Sequence, residues 1–155
     1  MLKYALATSA AVLLLAGAAE AQVKRVGTGA ISSVVSVPPG YGVVYVAGMT
    51  AGGPGAPITA GMDTKTQTLA VLDKLKATLA AEGLSFADVT MMNVYLVADP
   101  AKENKMDAAG MNEAYRQYFG TADQAAKPAR VTVQVAALGS PLTLVEISLQ
   151  AARKP

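Results

Sequence analysis

Residues 129–151, ARVTVQVAALGSPLTLVEISLQA, hold two runs of alternating character separated by Gly139, Ser140 and Pro141. In the first run Val131, Val133 and Val135 alternate with Arg130, Thr132 and Gln134, and in the second Val145, Ile147 and Leu149 alternate with Glu146, Ser148 and Gln150. A period of two marks a strand with one buried face. The stretch predicts strands over Arg130–Ala137 and Leu142–Ala151, joined as a hairpin through residues 138–141. In a hairpin centred near Ser140, Arg130 faces Gln150 and Glu146 faces Gln134, so the two charges do not pair directly. The aliphatic positions form one face suited to helices. The polar positions form the other, which meets either water or another copy of the chain.

Upstream, the period changes. Leu69, Leu72, Leu75 and Leu79 fall at spacings of three and four, which predicts a helix over Thr64–Glu82, with Thr64 and Gln67 as a capping box and Gly83 as the stop. Val89–Val97 is rich in β-branched and aromatic residues and reads as a strand closed by Asp99-Pro100. A second helix is expected over Met106–Phe119, with Met111, Ala114, Tyr115 and Tyr118 as its buried stripe. Gly110 inside it costs about 1 kcal/mol relative to alanine. Val34–Val37 and Val43–Met49 flank Pro38-Pro39-Gly40 and read as a hairpin, and the Gly- and Pro-rich TAGGPGAPITAGM that follows reads as a loop. The order predicts an α+β fold, one mixed sheet with two helices on one face.

The first 21 residues stand apart. MLKYALATSAAVLLLAGAAEA has a basic start at Lys3, an apolar run from Ala5 to Ala19 and an Ala19-Glu20-Ala21 end, the layout of a cleaved signal peptide. The run is too short and alanine-rich for a comfortable membrane span. The expectation is cleavage after Ala21, no stable span thereafter, a periplasmic or secreted location and a single domain over residues 22–155.

Composition excludes several chemistries. With no cysteine and no histidine, the chain has no disulfide, no Cys or His nucleophile or base, and no metal site built on those ligands. The net charge is +2 and Lys24-Arg25 is the longest basic cluster, which gives no case for nucleic-acid binding. AGGPGAP lacks the spacing of a phosphate loop, Met91-Met92 and the tyrosines suit packing, and Ser32-Ser33 have no base to activate them. Two charges remain. Arg130 is either an exposed strand-edge charge or, if set in a cleft, a fork for a planar carboxylate. Glu146, between Val145 and Ile147, either holds a water as a weak acid and base or sits in a salt bridge.

The segments VYVAGMT, DTKTQTLAVLDKLKATLAAEGLSFADV, TMMNVYLVAD, MNEAYRQYF, PARVTVQVAAL and LVEISLQAA follow one another over residues 43–151 in an order that resembles the RidA, or YjgF, family of imine and enamine deaminases. The most specific part is PAR with its V-x-V-A-x-L strand, followed by V-E-I. The resemblance implies a chorismate-mutase-like protomer, a homotrimer with clefts between subunits, and a hydrolase needing no metal or organic cofactor. It implies that Arg130 binds the substrate carboxylate and Glu146 positions the attacking water, with Gly48, Asn112 and Thr132 lining the cleft. The implied reaction is of the 2-iminobutanoate/2-iminopropanoate deaminase type, converting a 2-imino or 2-enamino acid to a 2-oxo acid and ammonia. Three positions depart from the pattern. ISSVVSV stands where the family usually has a Gly-Pro-Tyr-Ser-Gln type segment, so its cleft tyrosine has no counterpart, with Ser32, Ser33 or Val34 in its place. Thr132 stands for a frequent cysteine, and Met49 for a common glutamine. Two rival readings keep the same fold: a trimer that binds small carboxylates without turnover, and a chaperone-like trimer.

Overall fold

The structure, a computed structural model, describes residues 22–53 and 57–155. The expected leader, residues 1–21, lies outside them. Among the described residues six strands and two α-helices follow the order β1 (Lys24–Val26), β2 (Val34–Ser36), β3 (Gly42–Thr50), α1 (Thr64–Ala81), β4 (Val89–Val97), α2 (Ala108–Tyr115), β5 (Ala129–Val135) and β6 (Val145–Arg153). The main sheet has the order β3-β6-β4-β5, antiparallel except for the parallel pair β4–β5, and β1–β2 form a small antiparallel ribbon. The fold is α+β, as the alternation and helix periods predict, and its main sheet is mixed.

Both hairpin expectations fail. β2 pairs with β1, and β3 pairs with β6, where two nine-residue strands offer a longer ladder than the three residues of β2. β5 and β6 do not pair, because β4 lies between them. The connection at residues 136–144 is too long for a tight turn. It carries the chain across the end of β4, where the Val97 amide donates to the Leu144 carbonyl at 3.0 Å. Parallel pairing of β4 with β5 follows from α2, which supplies the crossover that parallel neighbours require.

Helix α1 starts at Thr64 as expected, but its cap is Asp63, one residue before the expected one. Asp63 in extended backbone accepts from the Thr66 amide at 2.8 Å, whereas Gln67, read as half of a capping box, is fully buried. Its side-chain amide donates to the carbonyls of Met62 and Leu142 and accepts from the Leu144 amide, tying the helix start to the approach to β6. At the other end Gly83 adopts φ +69°, and the amides of Gly83 and Leu84 close on the carbonyls of Ala80 and Leu79, a Schellman stop. Helix α2 is shorter than the expected Met106–Phe119. Past Tyr115 the bonds tighten, with Gln117 and Tyr118 reaching back three residues to Ala114 and Tyr115. Gly110 is required rather than merely tolerated: Asp107 caps its amide at 2.9 Å, and a side chain there would collide with that carboxylate.

One core joins the layers. Val71, Leu72, Leu75 and Leu79 of α1 and Met111 and Tyr115 of α2 pack on Met92, Val94, Leu96, Val145, Ile147 and Leu149, all at most 1% exposed. Leu69, expected on this stripe, is only half-buried. Burying a leucine of this kind contributes about 1.5–3 kcal/mol. This pairing fixes the faces. Register aligns Arg130 with Met92 and Leu149, on the helix side, and aligns Val133 with Tyr95 and Glu146, on the open side. The expectation that the β5 valines face the helices is therefore reversed: Val131 and Val133 are 42% and 38% exposed, and Arg130 and Thr132 turn toward the helix layer. In β6 the aliphatic residues do face the core, as read.

Candidate active site

Arg130 opens edge strand β5 at the flank of α2. Its guanidinium lies over the Tyr115 ring at 4.5 Å from the centroid and donates to the Asn112 side-chain oxygen at 2.7 Å, with the Met111 sulfur at 3.7 Å. Asn112 and Tyr115 are three apart on α2 and present a plane and an acceptor to the same cation. Arg130 is half-buried and has no carboxylate within ion-pair distance among the described residues. Burial lowers its pKa, opposed by Tyr115, with the neighbouring Arg116 charge adding to the lowering. A guanidinium remains charged regardless. The bland alternative of a solvent-facing strand-edge charge does not describe this geometry.

Two hydroxyls near this cluster lack partners among the described residues. Tyr115 Oη is buried and unbonded, and burial pushes its pKa up to about 12 against the pull of the Arg130 charge. Thr132 Oγ1, on the same side of β5 two residues on, is also buried and unbonded. Asn112 and Thr132 thus share the Arg130 side of the sheet. Sequence periodicity placed Tyr115 only in a buried stripe. Its three-residue spacing from Asn112 was the available sign that it supports Arg130.

Glu146 lies on the opposite side. It pairs in register with Thr50 and Tyr95, is half-buried, and has no basic residue within ion-pair distance among the described residues. The salt-bridge reading therefore finds no partner there. Its carboxylate passes over Gly48, where the β3–β6 register shifts between Val46 and Met49, and any side chain at Gly48 would collide with it. A bulge that re-aims a strand beside a functional group is a recurrent device. Glu146 also borders a cavity of about 470 Å³ with Thr50, Gly52, Ser140 and Thr143. Gly48 and Glu146 are brought together; Arg130 and Glu146 are separated by the thickness of the sheet.

The segment standing where a family tyrosine is expected has a structural task. Ser32 is buried, its hydroxyl donating to the Lys127 carbonyl at 2.6 Å and its amide to the Pro128 carbonyl at 3.0 Å, so it is locked against the approach to Arg130. Ser33 and Val34 are exposed. None of the six tyrosines of the sequence falls in residues 29–37.

Comparison with known proteins agrees with this architecture. The family model described as Endoribonuclease L-PSP matches residues 29–153. A RutC family protein of Pyrococcus horikoshii is 44% identical over 85 residues, which cover 55% of this chain and 59% of that protein. TdcF of Escherichia coli, whose name provisionally assigns it as a reactive intermediate deaminase, is 37% identical over 76 residues, 49% of this chain and 54% of that one. The chain therefore spans little more than half the length of these relatives. Among solved structures, a Rid-family protein of unknown function from Yersinia pestis superposes with a TM-score of 0.64 at 26% identity, covering 79% of this chain and 86% of that one. With the matching model spanning the sheet, both helices and every candidate residue, the chain belongs to the RidA (YjgF) family, whose model carries the description Endoribonuclease L-PSP.

Proposed function

We propose that the protein hydrolyses reactive 2-imino or 2-enamino acids to 2-oxo acids and ammonia, without a metal or organic cofactor, as a homotrimer with its sites between subunits. One observation carries this reading: Arg130 is a half-buried guanidinium held by a ring and an amide but lacking a carboxylate partner. A substrate carboxylate supplies that partner through charge-assisted hydrogen bonds. The name of the E. coli relative supports the reaction class.

The geometry also supports assembly. Arg130 and Glu146 face opposite sides of one sheet, so a ligand spanning both needs Glu146 from one copy and Arg130 from another. Val43, Tyr45, Val131 and Val133 on the open side are 56%, 75%, 42% and 38% exposed, an apolar surface for a second copy to cover.

The chemistry asks little of the protein, because a protonated imine is already electrophilic. Arg130 orients it by its carboxylate. Glu146 accepts a proton from water as the new C–O bond forms at the imine carbon, returns it to the nitrogen, and then takes the remaining hydroxyl proton as the C–N bond breaks, the carbonyl forms and ammonia leaves. Positioning of this kind supplies several kcal/mol without a covalent intermediate. Purified protein is expected to accelerate ammonia release from an enzymatically generated imino acid, and the Arg130→Ala variant is not. Equal rates for the two proteins would refute the proposal. The locked Ser32 in place of a cleft tyrosine favours one second reading, a binding trimer without turnover. Calorimetry showing Arg130-dependent binding of 2-oxo acids, with no deamination, would establish it instead.

A further inference from the structure

Lys74, on α1, directs its ammonium at three consecutive carbonyls: Thr50 at 3.0 Å, Ala51 at 2.6 Å and Gly52 at 2.7 Å. Successive carbonyls of a strand point in alternating directions, so three in a row can meet at one point only where the strand bends. β3 ends at Thr50, and the chain bends at Ala51. All three protons of the ammonium are used, and Lys74 has no carboxylate within ion-pair distance among the described residues. The position is tight. A side chain at Gly53 would stand 3.3 Å from Lys74 Nζ.

The direction of approach matters more than the bonds themselves. Lys74 reaches the chain from the helix side of the sheet, and Glu146 opens on the other. A trans peptide sets its N–H opposite its C=O, and no cis bond occurs among the described residues. The amides of Gly52 and Gly53 are therefore turned away from Lys74, and both residues line the cavity that Glu146 borders.

Resting on the deaminase reading of Glu146, we propose that Lys74 is a positioning residue: by gathering the carbonyls of Thr50, Ala51 and Gly52 it sets the wall of the Glu146 cavity and turns backbone amides toward it. These amides offer donors to an oxygen held beside Glu146, the attacking water included. The ammonium never touches substrate. It acts through the peptide planes, so its removal affects the water side of the reaction and leaves the carboxylate anchor at Arg130 intact.

The test compares wild type, Lys74→Met, which keeps the aliphatic stem, and Lys74→Ala with added propylammonium. Lys74→Met is expected to lower kcat by about 10–100-fold, the scale of a misplacement near 1 Å, while KM for the imino acid stays within about twofold. Hydrogen exchange at the Gly52 and Gly53 amides should accelerate, and propylammonium should restore both kcat and protection in Lys74→Ala. Wild-type kcat and unaltered exchange in Lys74→Met overturn this inference while leaving the deaminase reading intact. A loss of thermal stability, with kcat and KM damaged together and no rescue, overturns it in favour of a structural role. If wild-type protein releases no ammonia, the deaminase reading falls, and amide exchange alone then decides whether Lys74 orders this wall.

Discussion

The two sides of the main sheet are finished to different degrees. On the helix side Arg130 is held by its own chain, with Tyr115 beneath it and Asn112 at its end. On the open side Glu146 stands over a bare glycine, among exposed valines and Tyr45, with no basic partner. Under the proposed function the difference separates two tasks: the carboxylate anchor is built within one protomer before any ligand arrives, and the Glu146 side is the one the proposed assembly would enclose.

The sharpest way to break this comparison is Arg130→Ala. Removing one member of a hydrogen-bonded charge pair costs about 2–5 kcal/mol, so kcat/KM should fall by orders of magnitude in a coupled ammonia-release assay. Arg130→Lys should recover little, since an ammonium cannot fork to a planar carboxylate. Next in size is Val133→Glu, which places a carboxylate in the middle of the apolar open face. Light scattering is expected to show an oligomer for wild type, as proposed, and protomers for this variant, with activity lost in parallel. Activity retained by a monomer would mean that one chain carries the whole site.

Gly48→Ala tests the open side without altering charge. The added methyl displaces the Glu146 carboxylate, so kcat is expected to drop about tenfold, with 2-oxo acid binding at Arg130 preserved by calorimetry. The smallest effect lies away from both sides. Asp63→Ala removes the α1 cap and should cost about 1 kcal/mol by urea denaturation. The hydrogen bond from Thr66 holds the Asp63 carboxyl below its ordinary value of 3.8. A depressed folded pKa stabilises above the unfolded value and is lost as pH falls through the folded one. The gap between wild type and Asp63→Ala should therefore be present at neutral pH and close below pH 3.8.

Much of the fold was legible because periodicity reports burial. Val89–Val97 came out with its expected bounds, and α1 differed by one residue at its end. Pairing was not legible, since alternation says which residues share a face but not which strand lies alongside. That is why residues 129–151 read as a hairpin, although β4 separates their two strands. The same ambiguity reversed the β5 valines: aliphatic residues were assigned to the helix side, but α2 offers an aromatic plane and an amide there, and the guanidinium takes the place. Arg130, Asn112 and Thr132 were found together, as were Gly48 and Glu146. The role of Tyr115 was missed because its spacing from Asn112 is equally that of a packing stripe, and Lys74 because a carbonyl-binding lysine leaves no distinctive spacing.

Ser32 ties the first part of the described chain to the approach to β5. Its hydroxyl bonds Lys127 across 95 positions of sequence, and its amide bonds Pro128, two residues before Arg130. Long-range closures of this kind carry an entropic cost that local helices do not, and they form late. During synthesis the early segment must wait until nearly the whole domain has emerged before it can brace the approach to β5. The contacts that hold Arg130 itself, to Asn112 and Tyr115, lie within one short stretch of chain and form without that closure, so what Ser32 adds late is the bracing of the approach rather than the grip on the guanidinium.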